Sequence, residues 1–246
     1  MNILHECTTE EKCSYLENTM QTTQYKIIND CSYDYCSSLI EKGWRRFGNM
    51  FFRPICADCH ACESFKIDVA NYKFSKSERR TMRKNEDLKI VIQHPQVSST
   101  HLELFEKYHL HMKNKRDWTH HEVTPRHYYT SFVNGHGSFG YEVLYFLEDR
   151  LIAIDLIDVL DEGISSIYFY YDPEFSNRSL GTFSMLQQIQ MAQEAELKWI
   201  YMGYYVQGCQ SLEYKSRYKP YYVLQGRPWD THVAQWLPYD EQNNKC

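Results

Sequence analysis

Three cysteines, Cys56, Cys59 and Cys62, are separated from one another by two residues each. This spacing lets neighbouring thiolates converge on one metal ion or cluster, and Cys13 is a candidate for the fourth ligand. The same thiols also fit a structural interpretation, in which they are small apolar fillers of a loop and bind nothing. The sequence therefore leaves two interpretations open for this segment, a metal or cluster site and a group of inert thiols.

A second group of candidate residues is basic and follows Ser75, which is placed to cap a helix. The five side chains recur at helical spacing and would share one face of that helix. Such a face suits a phosphate backbone, and Tyr72 and Phe74 just before it are placed to stack on an unpaired base. The alternative is a solvated helix face balanced by nearby carboxylates. The five residues are Lys76, Arg79, Arg80, Arg83 and Lys84.

A helix is predicted to start at Ser179, directly after a strand and a polar loop. Backbone N–H groups and the helix dipole form an anion site at such a position. The pattern Arg178-x-x-Gly181-x-Phe183 resembles the R-x-x-G-x-G/A pyrophosphate loop of acetyl-CoA enzymes, but the bulky Phe183 replaces its last small residue. This departure argues against a coenzyme A site and leaves a different phosphate ligand, or only a capped helix, as interpretations.

Carboxylates and tyrosines lie on the predicted strands around this helix. Asp155 and Asp158 interrupt an apolar strand, where a carboxylate is costly unless it is paired or bound to a substrate amine. Tyr168, Tyr170 and Tyr204 are placed either to line an acceptor pocket or to pack across strands. Alternation puts Tyr168 and Tyr170 on one face of their strand.

These residues depend on a short series of predicted elements. Two apolar segments within 150–176 flank the turn 161–163 and read as a β-hairpin, followed by a helix from 179 and a strand from 199. This order is typical of the acyl-transferring half of acetyltransferase-like folds, where splayed strands and a helix N-terminus hold an activated acyl group. We therefore predict an α/β (mixed α+β) sheet flanked by helices. With a linker near 94–100, residues 1–97 would form a cysteine-containing domain and 98–246 the acyl-transfer domain.

Composition narrows the class of protein. The 246 residues are 43% hydrophobic and 24% charged, as in an ordinary soluble domain, and the net charge is −5. No apolar run approaches the ~20 residues of a membrane span, and the first residues show no secretory signal. We therefore expect a cytoplasmic protein without a membrane partner. The negative charge argues against wholesale coating of nucleic acid but allows a local basic site.

A series of motifs spans nearly the whole chain in order. They are Cys13-Ser14-Tyr15-Leu16, Gly43-Trp44-Arg45-Arg46-Phe47-Gly48, Phe52-Arg53-Pro54, the three spaced cysteines, Ser77-Glu78-Arg79-Arg80, the segment 168–173, Ser179-Leu180-Gly181, Tyr201-Met202-Gly203-Tyr204-Tyr205 and Tyr214-Lys215. This series resembles the aminoacyl-tRNA–protein transferases of the N-degron pathway, in their short bacterial form. The chain departs from that family at Phe47, where Ser is common, and at Leu212, where Met is common.

The resemblance implies an enzyme with no required cofactor that marks proteins for degradation. It would move an amino acid from the 3′ ester of an aminoacyl-tRNA to the α-amine of an N-terminal Asp or Glu. The short bacterial members use leucyl-tRNA and the longer eukaryotic ones arginyl-tRNA, so the length here implies leucine. In eukaryotic relatives, N-terminal cysteines bind an iron–sulfur cluster or zinc, and the matching residues are Cys13, Cys56, Cys59 and Cys62.

This hypothesis assigns roles to the candidate residues. The catalytic candidates are Asp155, Tyr168 and Tyr170. The substrate-binding candidates are Arg45, Arg46, Arg53, Ser179, Leu180, Gly181, Tyr204, Lys215 and Arg217. The tRNA-binding candidates are Arg79, Arg80, Arg83 and Lys84. Three alternatives are an arginyl-tRNA–protein transferase, an acetyl-CoA acetyltransferase of the same fold, and a non-catalytic module that binds metal and tRNA.

Overall fold

The computed structural model describes residues 2–209 and 211–239, which form two β-sheets and their flanking helices. The smaller sheet contains β1 (Asn2–Lys12), β2 (Met20–Asn29), β3 (Arg45–Phe47) and β4 (Met50–Pro54). The larger sheet contains β5 (Cys62–Asp68), β6 (Leu88–Gln93), β7 (Gly140–Leu147), β8 (Arg150–Val159), β9 (Gly163–Tyr171), β10 (Trp199–Val206), β11 (Tyr221–Leu224) and β12 (Trp236–Pro238). The helices are α1 (Tyr33–Glu41), α2 (Lys76–Lys84), α3 (Ser99–Arg116), α4 (Pro125–Tyr128) and α5 (Leu180–Glu194), with a π-helical turn at Tyr129–Val133 and 3₁₀ turns at Pro173–Arg178 and Glu213–Arg217.

The larger sheet has the order β12-β11-β5-β10-β9-β8-β7-β6, and one pair of its strands is parallel. β10 pairs with β9 only through Trp199–Tyr201 and Gly163–Ser165, so the described remainders of the two strands diverge. Helix α5 connects the end of β9 to the start of β10. The predicted hairpin, helix and strand are thus confirmed, and with them the α/β, acetyltransferase-like mixed sheet.

Helices cover both faces of the larger sheet. On one face, α5 buries Phe183, Leu186 and Ile189 in a core that includes Ile152 of β8. On the other face, the core contains Leu104, Phe105, Tyr108 and Met112 of α3. Full burial of each such side chain contributes about 1.5–3 kcal/mol, so these contacts fix both helices on the sheet. None of the described helices is both long enough and apolar enough to cross a lipid bilayer.

A buried ion pair joins the two sheets. Arg46 of β3 donates from Nε and Nη2 to the two carboxylate oxygens of Asp158 in β8, at 3.0 and 2.6 Å. The larger sheet also takes β5 and β6 from the first hundred residues and its other strands from the remainder. The predicted boundary at 97/98 therefore falls between strands of one sheet, and it stays a prediction about how the chain is organised.

The starts of α2 and α5 differ in how they are capped. Ser75 and Glu78 form a reciprocal capping box at α2, as the sequence predicts. Ser179 is the N-cap residue of α5, as the sequence predicts, but its side chain makes no capping hydrogen bond. A capping side chain reaches the first helical N–H groups from an extended backbone, whereas Ser179 has a left-handed φ of 57°. Its carbonyl instead accepts from the N–H groups of Thr182 and Phe183.

Candidate active site

A cavity of about 590 Å³ opens where β9 and β10 diverge. Its walls come from the end of α3, the second half of β9, the first turn of α5 and the 3₁₀ turn at Glu213–Arg217. Seven of the predicted site residues line it, namely Arg45, Tyr168, Ser179, Leu180, Gly181, Lys215 and Arg217. The fold thus gathers side chains from four separate segments of the sequence around one space.

The charge of this cavity is one-sided. Its basic lining residues are Arg45, Lys115, Arg116, Lys215 and Arg217, and none of the described lining residues is an aspartate or a glutamate. The first turn of α5 adds the positive end of a 15-residue helix at Leu180 and Gly181. An anionic ligand, such as a phosphate or a carboxylate, is the chemistry that this lining favours.

Lys215 is a buried amine held by the bulged strand β10. Its Nζ donates to the carbonyl oxygens of Met202 and Tyr204, at 2.8 and 2.9 Å. Burial, together with the positive charge of Arg45, lowers the pKa of the Lys215 amine to about 7. Lys215 therefore exchanges between amine and ammonium near neutral pH, whereas the sequence suggested a permanently charged group.

Arg45 reaches the cavity through a close approach to Gly203. Its Nη1 donates to Ser165 Oγ at 3.1 Å, and its Nη2 donates to the carbonyl of Ser166. Gly203 has a φ of +75°, and a Cβ at this position would lie 2.7 Å from Arg45 Nε. Glycine is therefore required here both by the backbone conformation and by the space that the guanidinium occupies.

Asp155 lies beneath the cavity and is completely buried. Its Oδ2 accepts from Ser184 Oγ at 2.5 Å and from Gln188 Nε2 at 2.8 Å, and Ser184 lines the cavity. Burial raises the pKa of Asp155 to about 7, although both hydrogen bonds act in the opposite direction. The Ser184 hydroxyl thus links the buried Asp155 carboxyl group to the cavity by a hydrogen bond.

Four other predicted site residues lie away from the cavity lining. Tyr170 is buried and its hydroxyl contacts the Tyr128 hydroxyl at 2.6 Å. Tyr204 donates its hydroxyl to the carbonyl of Gly43 at 3.0 Å. Arg46 is bound to Asp158, as described above. Arg53 donates to Gln24 and to the Pro228 carbonyl and lies over the Trp44 ring.

Arg178 and Phe183, which resembled parts of a coenzyme A loop, have other partners. Arg178 forms a two-point ion pair with Asp87, at 2.8 and 2.9 Å. Phe183 lies in the core, 5.7 Å from the Tyr145 ring centroid. The arginine that would bind a pyrophosphate is therefore committed to packing the start of α5 against the end of α2.

Two sequence profiles match the chain over most of its length. One describes the N terminus of arginine-tRNA-protein transferase and matches residues 11–80, and the other describes its C terminus and matches residues 100–225. The chain belongs to the arginine-tRNA–protein transferase family. It is a transferase.

Named relatives of this family member cover nearly all of the chain. It is 47% identical over 220 residues to an aspartate/glutamate leucyltransferase of Campylobacter jejuni, covering 89% of this chain and 92% of that protein. It is 36% identical over 240 residues to one of Helicobacter hepaticus, covering 98% and 100%. Among solved structures it is similar to FemX, with a TM-score of 0.48 and 7% identity, over 87% of this chain and 84% of that one.

The basic helix of this transferase is anchored next to the cavity wall. Arg79, Arg80, Arg83 and Lys84 are exposed on α2, as predicted. Lys84 Nζ donates to the carbonyl of Asn177, and Asn85 Nδ2 donates to that of Arg178 at 3.0 Å. The end of α2 is thus hydrogen-bonded to the residues directly before Ser179 and Leu180, which line the cavity.

The four cysteines of this transferase are partly buried and free. Cys13 and Cys56 accept hydrogen bonds at Sγ from the backbone N–H groups of Tyr15 and Thr22. Burial raises the pKa of the Cys62 thiol to about 12, and the charges of the other three cysteines add to this rise. Within residues 2–209 and 211–239, no three or more His, Cys, Asp or Glu side chains are placed to hold a metal ion. The four thiols as placed therefore do not form an assembled ligand set.

Several residues at the cavity were not found from the sequence. Ser184 lines it and contacts Asp155, Lys115 and Arg116 add charge, and His109 contacts Tyr168. His109 and Ser184 lie inside helices α3 and α5, where a single polar residue is no signal of function. Only the placement of α3 and α5 against β9 reveals them.

Proposed function

We propose that this transferase moves leucine from leucyl-tRNA to the α-amine of proteins that begin with Asp or Glu. The observation that carries the proposal is the basic cavity, whose described lining has no carboxylate. The acceptor's side-chain carboxylate and the phosphate of the terminal nucleotide are both anions, so both fit this lining. The relatives in Campylobacter and Helicobacter are named for the same donor and acceptors.

The apolar part of the cavity supports leucine as the group transferred. Met112, Trp118, Met185 and Leu212 line it beside the basic residues. A leucyl side chain would bury apolar surface there, whereas an arginyl guanidinium would meet five basic residues and no described carboxylate. Arginyl-tRNA is the second candidate donor, because the family profiles are named for it.

The chemistry needs no covalent intermediate, because an aminoacyl ester is already activated. An α-amine has a pKa of about 7.7, so a fraction is neutral and nucleophilic near neutral pH. The enzyme has to position this amine, stabilise the oxyanion and move one proton to the leaving 3′ oxygen. We assign the oxyanion or the nucleotide phosphate to Ser179, Leu180 and Gly181 at the start of α5.

Arg45, Lys215 and Arg217 are assigned to the acceptor's carboxylate. Arg217 is the most exposed of the three, whereas Arg45 and Lys215 are partly buried and donate to protein oxygens. Lys215 has a pKa near 7, and a bound carboxylate would raise it and charge the amine. The lysine would then be more fully cationic when an acidic acceptor is present.

The remaining candidates receive indirect roles. Asp155 would act on the cavity through its hydrogen bond with Ser184. Tyr170 would fix the C-terminal end of β9 through its hydrogen bond with Tyr128. We infer that Tyr204, Arg46 and Arg53 maintain the walls of the fold around the cavity. We assign tRNA binding to the exposed basic face of α2, whose end is hydrogen-bonded to the segment before Ser179. We further infer that the enzyme acts in the cytoplasm, where aminoacyl-tRNA is made, and that it marks proteins for degradation.

An iron–sulfur cluster or zinc ion at Cys13, Cys56, Cys59 and Cys62 is a separate proposal, supported by the cysteine spacing alone. No transfer step above requires it. Iron, sulfide and zinc content would be measured on protein purified without oxygen, with Cys59→Ser as the comparison. Protein that contains none of these elements would remove the proposal.

The function is tested by offering radiolabelled leucyl-tRNA and arginyl-tRNA in parallel to peptides that begin with Asp, Glu, Lys or Ala. We expect label from leucyl-tRNA on the Asp and Glu peptides alone. Label from arginyl-tRNA would retain the family and change the donor. If tRNA binds and neither label transfers, the non-catalytic binding module replaces the transferase.

Arg217→Gln is expected to raise the KM for an Asp peptide. Losing a hydrogen bond to a charged group costs about 1.5–3 kcal/mol, which corresponds to roughly 10–100-fold. Steady-state transfer at saturating leucyl-tRNA measures this change. Arg126→Gln, at an exposed position on α4, is the matched control and should leave the KM unaltered. An unchanged KM in Arg217→Gln would reassign the acceptor carboxylate to other residues.

Arg80→Gln and Arg83→Gln are expected to weaken tRNA binding in a salt-dependent way. Each phosphate contact contributes about 0.7–0.9 to the slope of log K against log salt, so each variant should reduce the slope by about that amount. Filter binding over a range of salt concentrations measures the slope. Lys89→Gln, exposed on β6, serves as the control. Slopes equal to that of the unmodified chain would mean that the α2 face is only solvated.

A further inference from the structure

His109 and Tyr168 form a hydrogen-bonded pair at the cavity wall. His109 Nδ1 lies 2.8 Å from the Phe105 carbonyl oxygen, and His109 Nε2 lies 2.8 Å from the Tyr168 hydroxyl. A carbonyl oxygen only accepts, so Nδ1 carries the ring proton. Nε2 of the neutral ring then accepts from the Tyr168 hydroxyl. The lone pairs of the Tyr168 oxygen are left to accept a hydrogen bond from another group.

Aromatic neighbours hold both rings in place. The His109 ring stacks on Phe105 with centroids 3.9 Å apart. The Tyr168 ring stacks on Phe132 at 5.4 Å and meets the edge of Phe47 at 6.3 Å. Tyr168 lines the cavity, whereas His109 lies behind it and contributes no lining surface. The pair is therefore preorganised with only its tyrosine facing a ligand.

We propose that His109 and Tyr168 form the proton relay of the transfer reaction, with Tyr168 touching the α-amine and His109 acting through it as a positioning residue. This inference rests on the proposed function. It assigns the proton acceptor of that reaction, and it gives His109 a role that its sequence context does not indicate.

The relay carries one proton from the attacking amine to the leaving 3′ oxygen. The neutral α-amine attacks the ester carbon, the C–N bond forms, and the carbonyl electron pair moves to the oxygen. The amine nitrogen then gives one proton to the Tyr168 oxygen while the Tyr168 hydroxyl gives its own proton to His109 Nε2. When the oxyanion collapses and the bond between the ester carbon and the 3′ oxygen breaks, His109 returns a proton through Tyr168 to that oxygen. His109 and Tyr168 finish in their starting states.

The charged and titratable groups around His109 come from several segments. Glu106 and Tyr108 lie on its own helix, His120 follows α3 and pairs with Glu106 at 2.8 Å, and His127 lies on α4. Burial lowers the pKa of His109, and the hydrogen bond to the Phe105 carbonyl opposes this effect only in part. The ring is therefore neutral, and able to accept a proton, at neutral pH.

The test compares His109→Gln, His109→Phe and Tyr168→Phe in single-turnover leucine transfer to an Asp peptide. Glutamine keeps a hydrogen-bond acceptor near Tyr168 but is not basic. We expect each variant to lose about 10²–10³-fold in the maximal rate, with the KM for both substrates changed less than about twofold. The double variant His109→Gln/Tyr168→Phe should be no slower than Tyr168→Phe, because the two residues serve one step. His5→Gln, exposed on β1, is the control.

The pH profile separates a relay from a structural role. At low pH the unmodified enzyme should lose rate with a limiting slope of two, since both the α-amine and His109 become protonated. His109→Gln should show a slope of one.

If His109→Gln retains the normal rate and slope, the relay is wrong while leucine transfer by the unmodified chain still supports the proposed function. If the unmodified chain transfers no leucine, the proposed function and the relay both fail. Circular dichroism identifies any variant that has not folded. If His109→Phe does not fold, the result for His109→Gln alone tests the role of His109.

Discussion

Replacing Arg46 with methionine is expected to destabilise the folded chain by about 3–5 kcal/mol. Arg46 and Asp158 are almost completely buried and bind each other through two hydrogen bonds between β3 and β8. Removing the arginine leaves a carboxylate in the interior without its cation, which is the costly case for a buried pair. Since a domain of this kind is stable by about 5–15 kcal/mol, the loss is a large fraction of the total.

Urea unfolding followed by circular dichroism measures this change. Lys198→Met removes one partner of the exposed pair between Lys198 and Glu162 and should cost less than about 1 kcal/mol. The double variant Arg46→Met/Asp158→Asn should recover part of the stability, because no charge is left unpaired. A stability of Arg46→Met equal to that of Lys198→Met would contradict the proposed role of this pair in joining the two sheets.

Asp155→Asn is expected to change how stability depends on pH. In the folded state burial raises the pKa of Asp155 to about 7, whereas in the unfolded chain it is about 3.9. Between these values the folded state binds more protons, so stability falls by up to about 1.4 kcal/mol per pH unit as the pH rises. Over the whole interval this amounts to about 4 kcal/mol, which the neutral asparagine should not lose.

The measurement is the free energy of unfolding of both chains from pH 4 to pH 8. Asp155→Asn should gain on the unmodified chain up to about pH 7, and the difference should then stay constant to pH 8. Asp149→Asn, in the exposed turn between β7 and β8, should follow the unmodified chain. Parallel curves for Asp155→Asn and the unmodified chain would mean that Asp155 is ionised in the folded state. Transfer activity retained by Asp155→Asn would also remove Asp155 from the catalytic residues.

Local patterns predicted most of the elements around the cavity. The turn 161–163, the periodic segment after Ser179 and the capping signal at Ser75 each depend on residues close in sequence, and the corresponding hairpin and helices are present. The sequence does not predict β1, because this polar strand lies at the edge of the smaller sheet and lacks the alternation of a half-buried strand. The left-handed turn at Ser179 also has no signal in the residue type.

The partners of individual side chains were the part that sequence could not supply. Arg46 and Arg217 look equally suited to bind a carboxylate, but Arg46 meets Asp158 from 112 residues further along the chain and Arg217 faces the cavity. His109 and Tyr168 are 59 residues apart, so neither indicates the other. Burial, together with the charge of Arg45 from a distant strand, lowers the pKa of Lys215. Each of these facts depends on how distant segments pack.

The central claim is that leucine becomes joined to the α-amine of an acidic N-terminal residue. Mass spectrometry of an Asp peptide incubated with the enzyme and leucyl-tRNA tests it most directly, with the α-N-acetylated peptide alongside. We predict that the free peptide gains one leucyl residue, located by fragmentation at its N-terminus, and that the acetylated peptide gains none. Leucine on a side chain, on both peptides or on neither would contradict the proposed reaction.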